Sequence, residues 1–315
     1  MPKLLFRLAA SLLQTFEPKL NILMYHRVMP EPDPLRPWEI DQQQFRKHMQ
    51  WISGIFNVIP LTEAVAQLKN GTLKRRSLAI TFDDGYLDNA THALPVLQES
   101  DFHATFFCTS AWLGGGQMWN DKVIESIRLW EGDTLTIDEL DLYDLPLASI
   151  AEKNKAIASI LPKLKYLPTA ERQIIAERLE SQVSELPQLM MRAEQIKQLH
   201  AAGMEIGGHT HSHPIIAQLD DQSLQNELTT NKQMLETIIG EEISLFAYPN
   251  GKPDIDYLKN QIGIIKQTGY KAAVTTQTAI AAKGTSDYEL PRFTPWDNSP
   301  AKFLLRLLLI RHYQS

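Results

Sequence analysis

Ser77-Leu78-Ala79-Ile80-Thr81-Phe82-Asp83-Asp84-Gly85 reads as a buried strand that stops on two adjacent carboxylates. The apolar run has the length and residue types of a strand, and Asp-Asp-Gly directly after it is a turn signal. Two acids side by side in a partly desolvated mouth are costly to hold unless a cation or a shared proton relieves them. Further along, Met204-Glu205-Ile206-Gly207-Gly208-His209-Thr210-His211-Ser212-His213-Pro214 gathers three of the chain's nine histidines within five residues. Together the two segments imply a metal site.

On both sides of the 77–82 strand, strand-like and helix-like segments alternate. Asn21-Ile22-Leu23-Met24-Tyr25 is a strand candidate. The spacing of Phe45, Met49 and Ile52 predicts a helix over 41–53, with Asp41 as N-cap and Gln44 as its capping-box partner. Phe56-Asn57-Val58-Ile59 is a strand, and Thr62 is expected to cap a helix that stops at Asn70-Gly71. A helix over 88–99 and a strand over 103–107 follow. Met204-Glu205-Ile206 is a short strand, and 220–239 is a long helix with Leu224, Leu228, Leu235 and Ile238 on one stripe, closed by Gly240. Leu245-Phe246-Ala247 is a strand, 254–268 a helix ending at Gly269, and Tyr270 to Val274 a strand. Repeated β-then-α units predict an α/β fold, a parallel sheet with helices outside, closed or nearly closed as a barrel. No internal repeat is visible.

Residues 121–190 break this rhythm. They are polar and helix-prone, show no clear strand, and are interrupted by Leu145-Pro146, Leu161-Pro162 and Leu167-Pro168. The expectation is a helical insertion between two barrel strands on the face of the βα loops, either a lid or substrate-binding subdomain, or a decoration. The chain thus divides into an N-terminal amphipathic segment (1–19), an α/β domain (20–298) carrying the insertion, and a C-terminal helix (299–315).

The 315 residues suit one large barrel domain, and 43% apolar with 22% charged residues match a globular protein with ample core. A net charge of −6, a pI near 5.9 and the lack of a basic stripe argue against a nucleic-acid partner. The single cysteine, Cys108, excludes a disulfide framework and reads as a buried small hydrophobe. Met1 to Leu13 resembles a signal peptide superficially, but Arg7 interrupts the apolar run. An amphipathic helix that packs on the domain or touches a membrane surface fits better, and Phe303 to Arg311 reads the same way. The expected location is cytoplasmic.

His209 and His213 are four residues apart in the loop after a strand, and a short helical turn would put both imidazoles on one side of one ion. Two histidines and one carboxylate form a shell with open positions, the pattern of a catalytic rather than a closed structural site. One aspartate of the pair would bind metal while its neighbour stays free as a base. In a parallel barrel both segments end at the C-terminal face. Rival chemistries fit poorly. A glycosidase needs its carboxylates about 5 to 9 Å apart across the scissile bond. No Gly-X-Ser-X-Gly elbow exists for a serine hydrolase, and Gly114-Gly115-Gly116 lacks a phosphate-loop lysine.

These residues resemble the polysaccharide deacetylases with a NodB-like domain, carbohydrate esterase family four. Thr81-Phe82-Asp83-Asp84-Gly85 is similar to the family's first motif, His209-Thr210-His211-Ser212-His213-Pro214 to its second, and Phe246-Ala247-Tyr248-Pro249-Asn250-Gly251 to its third. The likeness covers about residues 20–110 and 195–295 and leaves the insertion unmatched. The resemblance implies a distorted (β/α)7 barrel and one divalent metal, usually zinc. It implies Asp83 as general base, Asp84, His209 and His213 as metal ligands, and the Asn250 N–H as oxyanion donor. Tyr248 and Pro249 come with the third motif, and Tyr86 follows the first.

Departures are informative. Ala247 stands where many members have arginine, Asn250 where many have tyrosine, and the usual C-terminal Leu-X-His has no counterpart beyond a poorly matching His312. Leu23-Met24-Tyr25-His26-Arg27-Val28 is similar to the Tyr-His segment of the branch acting on poly-N-acetylglucosamine, which implies His26 as general acid. Arg292 in Leu290-Pro291-Arg292-Phe293 would orient Asp83, or else form a surface salt bridge. The implied reaction removes N-acetyl groups from a sugar of a polysaccharide or oligosaccharide and releases acetate. Trp112, Trp119, Tyr86 and Trp296 are candidates for stacking on sugar rings, or for core positions. A small non-sugar amide as substrate, or an inactive carbohydrate-binding relative, are the other readings of the same residues.

Overall fold

A computed structural model describes residues 19–309. Residues 1–18 of the N-terminal amphipathic segment, together with Arg311 and His312, lie outside the described residues. Two compact units are present, one formed by the described parts of 1–31, 38–114 and 191–315, the other by 32–37 and 115–190.

The first unit is a curled parallel sheet flanked by helices. Its seven strands are β1 (Leu20–Tyr25), β2 (Asn57–Val58), β3 (Ser77–Phe82), β4 (Thr105–Cys108), β5 (Glu205–Gly208), β6 (Leu245–Ala247) and β7 (Ala272–Val274). Hydrogen-bonded neighbours run β1-β3-β4-β5-β6-β7, with β2 also on β3, and every pairing is parallel. All six residues of β1 and of β3 are buried, because a parallel sheet is covered on both faces and its strands read as continuous apolar runs. The period of two sorts them: Leu23, Tyr25, Leu78, Ile80, Phe82 and Phe106 join the core under the helices, while Leu20, Ile22, Ala79, Phe107, Leu245 and Val274 form a second core on the other face. An extended stretch from Leu290 to Phe293 bonds to both end strands. Leu290 N–H donates to Ala273 (3.0 Å) on β7, and Phe293 N–H donates to Ile22 (2.8 Å) on β1.

Local structure mostly follows local signals. Asp41 caps the helix Gln42–Ile52 by accepting from the Gln44 N–H (2.7 Å), and Gly240, at φ 77°, ends the helix Asp221–Ile239. Three elements differ from expectation. The helix Leu61–Asn70 begins one residue before Thr62, and its N–H groups are met by the Glu205 carboxylate on β5 (Leu61 N–H, 2.8 Å) rather than by a threonine cap. The 88–99 helix opens as a π-helical turn, Asn89–Ala93, before Leu94–Glu99, because Pro95 has no N–H to continue an α ladder into it. The 254–268 helix shrinks to Ile262–Gln267 after a 3-10 turn, since Asp254 is left-handed (φ 61°) and Asp256 draws in the Lys252 N–H (3.0 Å).

The second unit has its own core of Val123, Ile127, Leu135, Ile157, Leu164 and Leu179 under the helices Trp119–Leu129, Ile150–Lys165 and Thr169–Glu180. It is not strand-free as expected. Thr134–Ile137 and Leu142–Pro146 pair antiparallel, and the alternating burial of Thr-Leu-Thr-Ile is the strand signal that the surrounding polar residues obscure. Residues 32–37 join this unit through Leu35 and through Arg36, which lies between Asp121 (2.8 Å) and Glu125 (2.9 Å).

In the helix Pro300–Leu309 the apolar residues Phe303, Leu304 and Leu307 are buried, and Phe303 stacks on His48 at 4.7 Å. Among the described residues no helix is long and apolar enough to cross a membrane.

Candidate active site

Parallel strands end on one edge, and that edge collects the chemistry. At the end of β3 the Asp83 N–H donates to the Tyr25 carbonyl on β1 (2.9 Å), which prolongs the ladder by one residue. The chain then reverses through Asp84 (φ 76°) and Gly85 (φ 90°). Left-handed backbone suits glycine and is tolerated best by Asp and Asn among the rest. The Asp84 carbonyl is held by the Thr109 N–H (3.2 Å) and hydroxyl (2.8 Å). This reversal turns the neighbouring carboxylates to different partners, Asp83 to an arginine and Asp84 to two histidines.

After β5, residues 209–213 form a loop and not the helical turn that the spacing suggested. Thr210 (φ 63°) and His213 (φ 54°) are both left-handed, and the Thr210 hydroxyl accepts from the His213 N–H (3.1 Å). Gly207 and Gly208 precede it for want of room. A Cβ would lie 2.5 Å from the Phe107 ring at Gly207 and 2.1 Å from the Tyr270 hydroxyl at Gly208.

The loop brings both imidazoles to Asp84. Nε2 of His209 and Nε2 of His213 each lie 3.3 Å from Asp84 Oδ1, and one ligand atom from each of the three residues lies within 4.8 Å of the others. His209 Nδ1 is 2.7 Å from the Ala247 carbonyl, which turns Nε2 toward Asp84. Burial opposes a charge on this ring, but the hydrogen bond to Asp84 and the charges of Asp83 and Asp84 raise its pKa, so a metal at Nε2 would displace a proton. Burial leads the shift at His213 and takes it down to about 4, so its imidazole is neutral at physiological pH, as a metal ligand must be. Burial opposes the charge on Asp84, but the hydrogen bond from His209 and the charges of His213 and His26 hold its carboxyl well below the usual range. Two imidazole nitrogens and one carboxylate form a divalent-metal-binding site.

Asp83 stands beside this triad with a different partner. Arg292, 1% exposed, donates from both terminal nitrogens to the two Asp83 oxygens at 2.6 Å each, and from Nε to the Thr275 carbonyl (2.9 Å). Arg292 is therefore a buried bidentate clamp and not a surface salt bridge. Burial alone would raise the Asp83 carboxyl, yet the Arg292 guanidinium and the nearby His209 hold it below the ordinary value. Arg292→Leu is expected to lower the stability of the metal-free protein by about 3–5 kcal/mol, because one buried charge loses its partner. The depressed carboxyl contributes stability above its unfolded value near 3.9, and loses it as pH falls through the folded value. Urea midpoints of the two proteins should therefore differ most near neutral pH and converge in acid.

A family model described as polysaccharide deacetylase matches residues 70–273, more than half of the chain. The chain belongs to the polysaccharide deacetylase family. It is 23% identical to YxkH of Bacillus subtilis over 276 residues, which cover 87% of this chain and 70% of that protein. To the poly-beta-1,6-N-acetyl-D-glucosamine N-deacetylase of Staphylococcus aureus it is 24% identical over 178 residues, 55% of this chain and 61% of that one. Among solved structures, the deacetylase PplD of Streptococcus pyogenes aligns with a TM-score of 0.62 at 20% identity, covering 92% of this chain and 98% of that one. IcaB from Ammonifex degensii gives 0.62 at 18% identity, with 92% and 97% covered. At such identities the structural likeness speaks for the fold. Family and triad together make this chain a metal-dependent hydrolase.

The remaining candidate residues of this deacetylase-family chain divide. His26 directly follows β1, is half-buried, and has its carbonyl held by the Asn89 side chain (2.8 Å); a charge on its ring is felt by Asp83, Asp84 and His213. Asn250 follows β6 with φ 60° beside the buried Pro249. Tyr248 does not face the site. It is fully buried, stacks on Tyr257 at 3.8 Å and donates its hydroxyl to the Tyr288 carbonyl (2.9 Å), because the residue after a strand alternates to the helix-covered core. Tyr86 is 3% exposed under the Arg27 guanidinium, 4.7 Å from its ring centre, and so offers no free face for a sugar. Trp119 packs on the core of the second unit with Arg172 over its ring, whereas Trp296 is 58% exposed. The Cys108 thiol is buried and pushed up to about 12, by burial first and then by Asp83 and Asp84, which leaves it inert. Asn231 and Glu227, which hold the histidine loop, belong to no sequence motif. The available signal was an asparagine at position 231, where the stripe of Leu224, Leu228 and Leu235 calls for an apolar residue.

Proposed function

We propose that this chain is an N-deacetylase that removes acetyl groups from an N-acetylated sugar of a polysaccharide or oligosaccharide, releasing acetate. The observation that carries this reading is the buried Asp83 carboxylate, clamped by Arg292 beside the Asp84–His209–His213 triad on one sheet edge. The name of the S. aureus relative, an N-deacetylase of a poly-N-acetylglucosamine, supports the substrate class. We read the sheet as a distorted (β/α)7 barrel in which Leu290–Phe293 joins the end strands.

Asp84, His209 and His213 would hold the metal, which we assign as Zn2+. Once bound, it supplies a Lewis acid that polarises the acetyl carbonyl and lowers the pKa of a water molecule. Asp83 accepts the proton of the attacking water, and the two Arg292 hydrogen bonds keep that carboxylate ionised and aimed. The Asn250 N–H donates to the oxygen that gains charge as the carbonyl becomes tetrahedral. His26, at the end of β1, gives a proton to the departing amine, so that a neutral amino sugar leaves. Pro249 and the left-handed Asn250 set the direction of that N–H.

The test is acetate release from N-acetylglucosamine oligomers by zinc-loaded protein. The expected result is one acetate per amino group exposed. No acetate from any acetylated glycan, with metal bound, overturns the substrate class.

A further inference from the structure

The loop that carries both metal-binding histidines is held in a conformation it would not adopt alone. Two of its five residues, Thr210 and His213, are left-handed without being glycine. Such residues persist only where their surroundings over-determine them. Two side chains of the helix Asp221–Ile239 provide that constraint. Asn231, fully buried, accepts from the His209 N–H (3.1 Å) and donates to the Cys108 carbonyl (3.0 Å) and the Ser110 hydroxyl (3.2 Å). Glu227, one turn earlier, accepts from the Ser212 N–H (2.8 Å) and from the Ser212 hydroxyl (2.6 Å), one bond to each carboxylate oxygen. Positions 227 and 231 are i and i+4, so both point off one face of a rigid helix. Between their two grips, His211 is tied to the segment after β4 by the Ser110 and Ala111 N–H groups (3.2 and 2.9 Å) on its carbonyl.

We propose that Glu227 and Asn231 are positioning residues that set the metal affinity of the site by fixing the backbone on either side of Thr210 and His211. Asn231 fixes the start of the loop at the first histidine ligand. Glu227 fixes Ser212, whose ψ and the next φ decide where the His213 ring goes. Neither residue touches the ion; each acts through a ligand's backbone. Without them the left-handed residues relax, and Nε2 of His209 and of His213 no longer meet at Asp84 Oδ1. The inference rests on the metal site and not on the identity of the substrate.

The test measures Zn2+ binding by competition with a chromophoric chelator, and the visible spectrum of the Co2+-loaded protein, for Glu227→Ala, Glu227→Gln, Asn231→Ala and the double variant. Loss of an outer hydrogen-bond partner weakens metal binding by about 10–100-fold, which is the loss expected of each alanine variant. Glu227→Gln keeps one acceptor for Ser212 and should recover part of that loss. The double variant should lose less than the product of the single losses, because both grips act on one loop. The Co2+ bands should shift in every variant that loses affinity. Zinc affinity within about twofold of the unmodified protein, with an unchanged Co2+ spectrum and a lowered thermal midpoint, would show a merely structural role and overturn the proposal. Glu227 is half-buried and, among the described residues, its side chain bonds only to Ser212, so its two variants decide the matter if Asn231→Ala does not fold. No ion bound by the unmodified protein overturns both this proposal and the metal site.

Discussion

Asp83→Asn is expected to release acetate about 10²–10⁴-fold more slowly than the unmodified protein while binding its metal equally well. The substitution keeps the shape of the side chain and an oxygen for one of the two Arg292 donors. It removes the only feature that a base needs, a carboxylate that can take a proton. The metal site is carried by other residues, with Asp84, His209 and His213 converging on one another and not on Asp83. The effect should therefore fall on kcat and leave the metal content alone. Steady-state acetate release, with metal content measured on the same sample, separates the two. An Asp83→Asn protein that retains full kcat would remove Asp83 from the proton transfer and move the base elsewhere on the same edge.

His209→Ala is expected to lose stoichiometric metal, and with it activity by about 10³-fold or more, since charge stabilisation by the ion is worth several kcal/mol in the transition state. Three protein ligands are the minimum for a firmly held catalytic ion, and His209 is the most constrained of them. Its Nδ1 is committed to the Ala247 carbonyl at 2.7 Å, its N–H to Asn231, and the residue is 1% exposed. Alanine leaves Asp84 with one imidazole and a cavity where the other stood. Metal content after dialysis against the free ion reads the first effect and acetate release the second. Full metal occupancy in His209→Ala would assign the ion to other ligands.

Much of the site was legible in the sequence because the signals are short-range. Asp83-Asp84-Gly85 after an apolar strand and His209 with His213 after a second strand are patterns of adjacent residues, and parallel topology brings strand ends to one edge without further information. Arg292 was readable as a candidate, but its clamp on Asp83 spans more than two hundred residues and only the fold makes it. The misses have a common physical origin. Tyr248 belongs to the third motif, yet strand alternation turns its ring into the core against Tyr257. The four-residue spacing of His209 and His213 fits a helical turn, and only the backbone at Thr210 and His213 shows that left-handed residues achieve the same convergence. Arg36 belongs with Asp121 and Glu125 through contacts that no local periodicity encodes. Glu227 and Asn231 act through loop backbone, which leaves no mark on residue type beyond one asparagine in an apolar stripe.

The most direct test of the proposed deacetylase activity is acetate release during metal add-back. Protein stripped by a chelator is titrated with Zn2+ in the presence of an N-acetylglucosamine oligomer. Activity should start at the background level, rise linearly and break at one ion per chain, while His209→Ala stays at background throughout. Acetate release that is already complete in the stripped protein, or that rises equally in His209→Ala, would contradict the assignment of Asp84, His209 and His213 as the centre of the reaction.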